Sequence, residues 1–347
     1  MFRKKILDWY DRHRRVLPWR ALKDQQSNPY HVWLSEIMLQ QTTVQAVIPY
    51  FNKFITLWPE IDAMAQADNQ DIMNNWAGLG YYARARNLHK CAKVISEEHG
   101  GIFPHNQDEL KKLPGIGDYT SAAIASIAFN IPANVVDGNV ERVMARYHAC
   151  SDPLPQGKKT LKTLAQHYTE GNFERPGDYA QSLMDLGATI CTPKSPVCSL
   201  CPINKNCQAY ANGEADKYPI KAPKKAKPRR HGYAYYIHNQ KKEILLQKRP
   251  DKGLLGGMYG LPTTQWVDNK NERTHLIPSD RINDITHHGF VEHVFTHFHL
   301  KLDVYALLLS EKSILKLNTD THIWASPSEF ETIGFPTVFQ KALNLFK

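Results

Sequence analysis

No run of about 18 uncharged apolar residues occurs in the 347-residue chain, so no segment reads as a membrane-spanning helix. The opening MFRKKILDWYDRHRR has no apolar core and no small-residue cleavage site, which argues against a secretory signal peptide. Cysteine is scarce, with six in all, and a chain without such a signal keeps its thiols reduced, so a disulfide framework is a poor use for them. No internal repeat of solenoid length is present. Acidic residues are in deficit, 34 against 43 Lys and Arg, for a formal net charge of +9. Such a balance suits a polyanionic partner, because releasing condensed counterions favours phosphate binding; a merely soluble protein fits it as well. What remains is a globular composition, 42% apolar and 22% charged, at a length that suits two cores better than one.

Up to about Tyr210 the pattern is helical. Asn28-Pro29 opens a long amphipathic stretch, VWLSEIMLQQTTVQAVIPYF, in which Trp33, Ile37, Val44 and Ile48 share a face. Further helices are expected over 68–77, 83–98, 107–112, 119–128, 140–147 and 158–167. The composition then breaks. Residues 217–232, KYPIKAPKKAKPRRHG, carry three prolines, seven Lys or Arg and no acid, and read as an extended linker over 217–231. A localisation signal, a phosphate-touching segment and an inert spacer all fit that pattern. Beyond it the period becomes two. YAYYIHN and EILLQKR, joined by Gln240-Lys241-Lys242, read as a hairpin, HVFTHFHLKLDVYALLL as one long strand, and 337–346 as a helix. The expected domains are therefore 1–216, all-α, and 232–347, mixed α and β.

Three local patterns carry chemistry. In LPGIGDYTSAAIASIAF, 113–129, Gly115 and Gly117 permit a tight turn into a helix whose bare N–H groups make a phosphate cradle, a helix-hairpin-helix over about 107–129. In NVVDGNVERV, Asp137 stands as an N-cap, a place where a carboxylate can also face developing positive charge. Cys191, Cys198, Cys201 and Cys207 form a C-x6-C-x2-C-x5-C array. Zinc sites usually show two close pairs, whereas four thiolates in one compact loop, 191–207, suit a [4Fe–4S] cluster better. Cys91 and Cys150 lie outside the array and read as inert thiols.

In this order the patterns resemble the endonuclease III superfamily of helix-hairpin-helix DNA glycosylases. Within it, SEIMLQQTTV, 35–44, and a tyrosine at 119 where bifunctional members carry a Schiff-base lysine look like the MutY-type adenine glycosylases. The resemblance spans essentially the whole chain. It implies a two-domain protein, a helical glycosylase domain with a [4Fe–4S] loop and an α+β nudix-like lesion-recognition domain. It makes Glu36 the acid that protonates adenine and Asp137 the carboxylate that stabilises or captures the sugar cation, with Tyr119 and Asn139 orienting them. Double-stranded DNA with adenine opposite 8-oxoguanine or guanine is the implied partner, and Tyr119 implies no efficient lyase step. The resemblance also places Gln41, Thr42, Leu79 and Tyr81 in the gap left by a flipped base and against the opposite lesion. Arg20, in LPWR, is a candidate phosphate contact, as are Arg84 and Arg86.

In the C-terminal part, GLLGGMYGLP, 253–262, looks like the glycine-rich entry to a nudix strand, yet no glutamate-rich REUxEE box follows before Val294. A binder without phosphohydrolase activity is expected. Phe295-Thr296-His297 matches the family's Phe-Ser-His loop, with threonine for serine: the hydroxyl survives and a methyl is added. His293, His297 and His299 could share a strand face, but without an acidic or cysteine partner contact with nucleic acid or packing suits them better than metal. The competing readings are a bifunctional endonuclease III-like enzyme, which needs lysine at 119, and a non-catalytic iron–sulfur DNA-binding protein, in which Glu36 is dispensable. The expected protein is a monomer of the bacterial cytoplasm, associated with the nucleoid.

Overall fold

The computed structural model describes residues 2–23, 25–171, 174–223, 226–250, 253–277, 284–308, 321–331, 333 and 335–346. Twelve α-helices run through its first part: α1 Phe2–His13, α2 Pro29–Leu39, α3 Val44–Leu57, α4 Ile61–Gln66, α5 Asn69–Trp76, α6 Ala83–His99, α7 Gln107–Lys112, α8 Asp118–Phe129, α9 Gly138–Tyr147, α10 Lys158–Gln166, α11 Pro176–Thr189 and α12 Gln208–Ala211. Two compact units divide the chain, Met1–Ala67 with Asn87–Lys224, and Asp68–Arg86 with Lys225–Lys347. The break at Lys224/Lys225 lies in the basic proline-rich segment; those two residues fall outside the described ones. No described helix is long and apolar enough to cross a membrane.

The first unit is helical, and its local order follows capping chemistry. Asn28 accepts from the N–H groups of Tyr30 and His31, and Pro29 supplies the preset φ of a first helical residue, so α2 starts there. The expected single long helix is two. Gln41 takes φ +60°, and the Thr43 hydroxyl accepts from the Ala46 N–H to start α3, so the apolar period continues while the backbone does not. The core gathers Ile6 and Trp9 of α1, Val140 and Val143 of α9, and Leu183 and Leu186 of α11. The sequence pattern gave no helix at 176–189. Almost every residue of α11 from Pro176 to Gly187 is buried, and a helix packed on all sides shows no amphipathic period.

The second unit holds a six-stranded mixed sheet with β1 Arg229–His238, β2 Ile244–Lys248, β3 Tyr259–Gly260, β4 Thr286–Val294, β5 His299–Leu308 and β6 His322–Ala325. The order is β3-β2-β1-β5-β4, with β6 on β2; β1 and β5 run parallel, and the other pairs are antiparallel. The hairpin through Gln240-Lys241-Lys242 forms as expected. The expected single strand over 293–309 does not. It turns at 295–298, closed by Phe295 N–H donating to the Phe298 carbonyl, and becomes the end of β4 and the whole of β5; Leu309 lies outside the described residues. α13, Thr337–Leu343, covers the sheet, and its Phe339 ring packs so closely on Gly260 that a Cβ there would collide with the ring. The glycine is therefore a packing requirement of this strand.

Candidate active site and lesion-contact residues

In the first unit, α2, α8 and α9 bring one residue each to a common point. Glu36, near the C-terminal end of α2, is only 7% exposed, among Val32, Trp33, Ile37 and Met38. Tyr119, on the first turn of α8, donates its hydroxyl to Glu36 Oε2 at 2.8 Å. Burial raises the Glu36 carboxyl to about 7, against the Tyr119 hydrogen bond, which lowers it; Asp137 adds to the rise and Arg20 opposes it. Burial, with the nearby Glu36 and Asp137 carboxyls, also pushes the Tyr119 phenol well up, so the phenol keeps its proton as donor. The result is a carboxyl poised to give up a proton near neutrality.

Asp137 caps α9. It accepts from the N–H groups of Asn139 and Val140 at 2.9 and 2.8 Å and from Asn139 Nδ2 at 2.8 Å. All three partners are donors, so both oxygens of Asp137 act as acceptors. The two readings of Asp137 made from sequence, cap and reacting group, are thus compatible in one side chain. Behind it the Asn139 side-chain Oδ1 accepts from Arg142 Nη2 at 2.9 Å. The same guanidinium donates to the carbonyls of Gly187 at 2.6 Å and Cys191 at 2.7 Å. Arg142 therefore ties the asparagine to the first cysteine of the array, a role with no local signature because its partners lie 45 and 49 residues away.

Gly187 was also missed. A Cβ there would stand 2.5 Å from Asn139 Cβ and 3.1 Å from its Cα, so α9 and α11 meet closely only over a glycine. Gly187→Ala is expected to move Asn139 off Asp137 and slow the reaction of this site about tenfold or more, with a destabilisation of about 1–3 kcal/mol. Single-turnover rates and urea unfolding check both; a full-rate, fully stable variant would contradict the packing.

The hairpin turn between α7 and α8 uses its two glycines differently. Gly115 has φ +77°, and a Cβ on it would lie 2.7 Å from Asn87 Cβ, whereas Gly117 is extended and serves as the N-cap of α8. In the turn between α2 and α3, Gln41 is exposed and Thr42 half-buried, with the Thr42 hydroxyl donating to the Gln40 carbonyl at 3.3 Å.

Arg20 is a correction. Its side chain, 7% exposed, grips Asp185 with two bonds of 2.7 and 2.8 Å, so it anchors the interior rather than offering a surface contact to phosphate. Arg84 is likewise buried, donating to the carbonyls of Leu79 and Gly80, and Arg86 donates to the Gly256 carbonyl.

The four cysteines of 191–207 form no disulfide and line one cavity with Arg146 and Ile203. Arg146 Nη1 donates to Cys191 Sγ at 3.3 Å, and Cys207 Sγ donates to the Arg146 carbonyl at 3.4 Å. Among the described residues no three His, Cys, Asp or Glu stand together as the ligands of one ion. His293 and His299 lie on different strands with His297 in the turn between them, so the three do not form one strand face.

In the second unit, Tyr81 and the 295–297 turn meet. Tyr81 is 47% exposed at φ +49°, and its hydroxyl lies 3.1 Å from Thr296 Oγ1, across 215 residues of sequence. Thr296 and His297 are exposed, while Phe295 leans on Phe298 and Trp266 with ring centroids at 4.9 and 5.8 Å. Leu79, expected beside Tyr81 at the lesion, is 6% exposed and belongs to the interior of this structure.

Residues 34–169 match the model of the HhH-GPD superfamily of base excision DNA repair proteins, and residues 233–345 that of the NUDIX domain. Over its full length the chain is 34% identical to the adenine DNA glycosylase of Buchnera aphidicola (subsp. Baizongia pistaciae), covering 97% of that protein. It is 33% identical to the human adenine DNA glycosylase, again over the whole chain, covering 74% of it. Among solved structures, a thermostable thymine-DNA glycosylase superposes on 61% of the chain and 95% of its own, with a TM-score of 0.54 and 32% identity.

Proposed function

Since the chain belongs to the adenine DNA glycosylases, hydrolases of base-excision repair, we propose that it removes adenine paired with 8-oxoguanine or guanine by a monofunctional hydrolysis with Glu36 as the acid. The observation that carries this is the buried Glu36 carboxyl, raised to about 7 and held by the Tyr119 hydroxyl. Adenine leaves poorly until a ring nitrogen is protonated, and a neutral carboxylic acid at working pH supplies that proton, at N7. The sugar left behind is oxocarbenium-like; the Asp137 carboxylate, fixed by its cap bonds and by Asn139, stabilises or captures it, and water completes the hydrolysis. Tyr119 has no amine with which to form an imine, so strand cleavage is not part of the reaction.

The adenine has to leave the duplex before Glu36 can reach it. Gln41 and Thr42 are assigned to the gap, and Tyr81, with Thr296 and His297, to the opposite purine; the Tyr81–Thr296 contact supports treating them as one recognition element. The N–H groups around Gly115 and Gly117 are assigned to a backbone phosphate.

Cys191, Cys198, Cys201 and Cys207 would hold the [4Fe–4S] cluster. Four cysteines without a disulfide around a shared cavity, with a guanidinium donating to one sulfur, fit an anionic multi-atom group. Such a cluster, when bound, cross-links the loop and fixes the Cys191 carbonyl that receives Arg142. Cys201→Ser is expected to lose iron and acid-labile sulfide on analysis.

Single-turnover assays on duplexes with adenine opposite 8-oxoguanine or guanine, with and without alkali, test the reading. Base release with strand breaks only after alkali is expected; breaks without alkali refute the monofunctional chemistry, and no release refutes the glycosylase assignment. Thr296→Ala is expected to slow the 8-oxoguanine substrate more than the guanine one, because its hydroxyl partner is lost.

A further inference from the structure

Beside the 295–298 turn, the second unit contains a cavity of about 370 Å³ that the glycosylase reading leaves unused. It lies where β1 and β5 begin and β4 ends, and its wall includes Arg229, Lys301, Lys341, His231, His293 and His299. Strand register makes this a designed cluster rather than a chance one. His299 pairs with Arg229 on one side, and two residues on, Lys301 pairs with His231, so these four side chains point to the same face of the sheet. Glu292, opposite Lys301 on β4, is the single acid in the wall.

Lys301 Nζ sits 3.9 Å above the Phe290 ring, and Lys341 Nζ donates to the Glu292 carbonyl at 2.9 Å, which leaves both ammonium groups with donor capacity. His293 pairs with Leu300, so its ring turns to the other face of the sheet, edge-on against Phe295. On the face of Lys301, the fixed cations Arg229 and Lys301 from β1 and β5, with His231 and His299 beside them, call for an anion with several oxygens.

We propose that this cavity is a phosphate site, which takes a backbone phosphate of the DNA strand that the 295–297 turn contacts. The proposal rests on the DNA-glycosylase reading for its ligand source, and on its own geometry for the anion chemistry. It gives the second unit an electrostatic anchor next to its recognition turn, so that position is set by phosphate while identity is read by Thr296 and His297.

The test uses the full-length protein and a duplex carrying a non-hydrolysable adenine analogue opposite 8-oxoguanine. Binding is followed by fluorescence anisotropy across a salt series for wild type, Arg229→Ala/Lys301→Ala, and the charge-keeping Arg229→Lys/Lys301→Arg. Loss of the phosphate contact is expected to make the slope of log Kd against log salt shallower by about 1 and to weaken binding about tenfold or more. The charge-keeping variant retains both. A second arm titrates dGMP into wild type while the His299 ring resonances are monitored. Perturbation by dGMP together with an unchanged duplex slope assigns the phosphate site to free nucleotides and overturns the backbone assignment. An unchanged slope with silent His299 resonances overturns the site altogether. Wild-type adenine release measured alongside separates the two readings: a slope change without release leaves the phosphate site standing and removes the glycosylase assignment.

Discussion

Glu36→Gln is expected to lower single-turnover adenine release by about 10²–10⁴-fold and, at the same time, to make the protein more stable at alkaline pH. Both effects come from one property. Burial lifts the carboxyl to about 7, from an ordinary value of 4.5, so the folded protein holds a proton that the unfolded chain has released by neutrality. A group raised in this way contributes stability only while it is protonated: the contribution is complete below about pH 4.5, and is lost as pH rises to 7. At pH 8 the ionised, buried glutamate costs on the order of 3 kcal/mol, and glutamine, neutral and of the same shape, removes that cost. At pH 5 the two proteins should differ by under about 1 kcal/mol.

Paired urea melts at pH 5 and pH 8 measure this directly, beside rates at the same pH values. A wild-type rate that falls as pH rises through 7 completes the set, since only the protonated acid is useful. Equal stability of the two proteins at pH 8 would show that Glu36 is not held in its costly form, and would remove the basis for its role as acid. Tyr119→Phe adds a sign check. The tyrosine bond lowers the Glu36 value, so its loss should move the alkaline limb of the rate profile to higher pH.

The residues of the proposed acid site were legible as candidates because each sits in a short contiguous motif. Glu36 in SEIMLQQT, Tyr119 after LPGIG and Asp137 in NVVDG could be named before any fold was known, and α2, α8 and α9 bring them together. What escaped depends on distant partners. Arg142 looks like an ordinary helix arginine until its bonds to Gly187 and Cys191 are seen, and Gly187 like a mere helix weakener until Asn139 is found against it. Two breaks were invisible for a different reason. The turn at Gln41 and that at 295–298 contain neither glycine nor proline, so the apolar periods on either side run together across them. The joining of Asp68–Arg86 to the C-terminal residues has no sequence signal at all; it follows from contacts such as Tyr81 with Thr296 and Arg86 with Gly256. Arg20 failed in the opposite direction, because a basic residue near a DNA-binding motif suggests phosphate while its actual partner, Asp185, lies 165 residues on.

That ion pair sets up the second large effect. Asp185 is 0% exposed and accepts from the Arg15 backbone and side chain as well as from both ends of the Arg20 guanidinium. Burial alone would raise its carboxyl, but the hydrogen bond and charge of Arg20, with those of Arg15, outweigh that and hold it below the ordinary value of 3.8. A depressed carboxylate contributes stability above its unfolded value, and that contribution is lost as pH falls through the folded one. Asp185→Ala leaves a buried arginine without its anion, which typically costs about 3–5 kcal/mol, and should lower the thermal midpoint by about 10 °C at pH 7. The deficit should narrow as the wild type is acidified below pH 3.8. Arg20→Leu/Asp185→Leu should cost less than the sum of its single changes, because it removes charge and countercharge together. The same variant reaches the chemistry, since the Arg20 charge lowers the Glu36 value and its removal should carry the alkaline limb of adenine release upward. A double variant whose loss equals that sum, with an unmoved pH limb, would mean that Arg20 and Asp185 act separately and that neither is felt at Glu36.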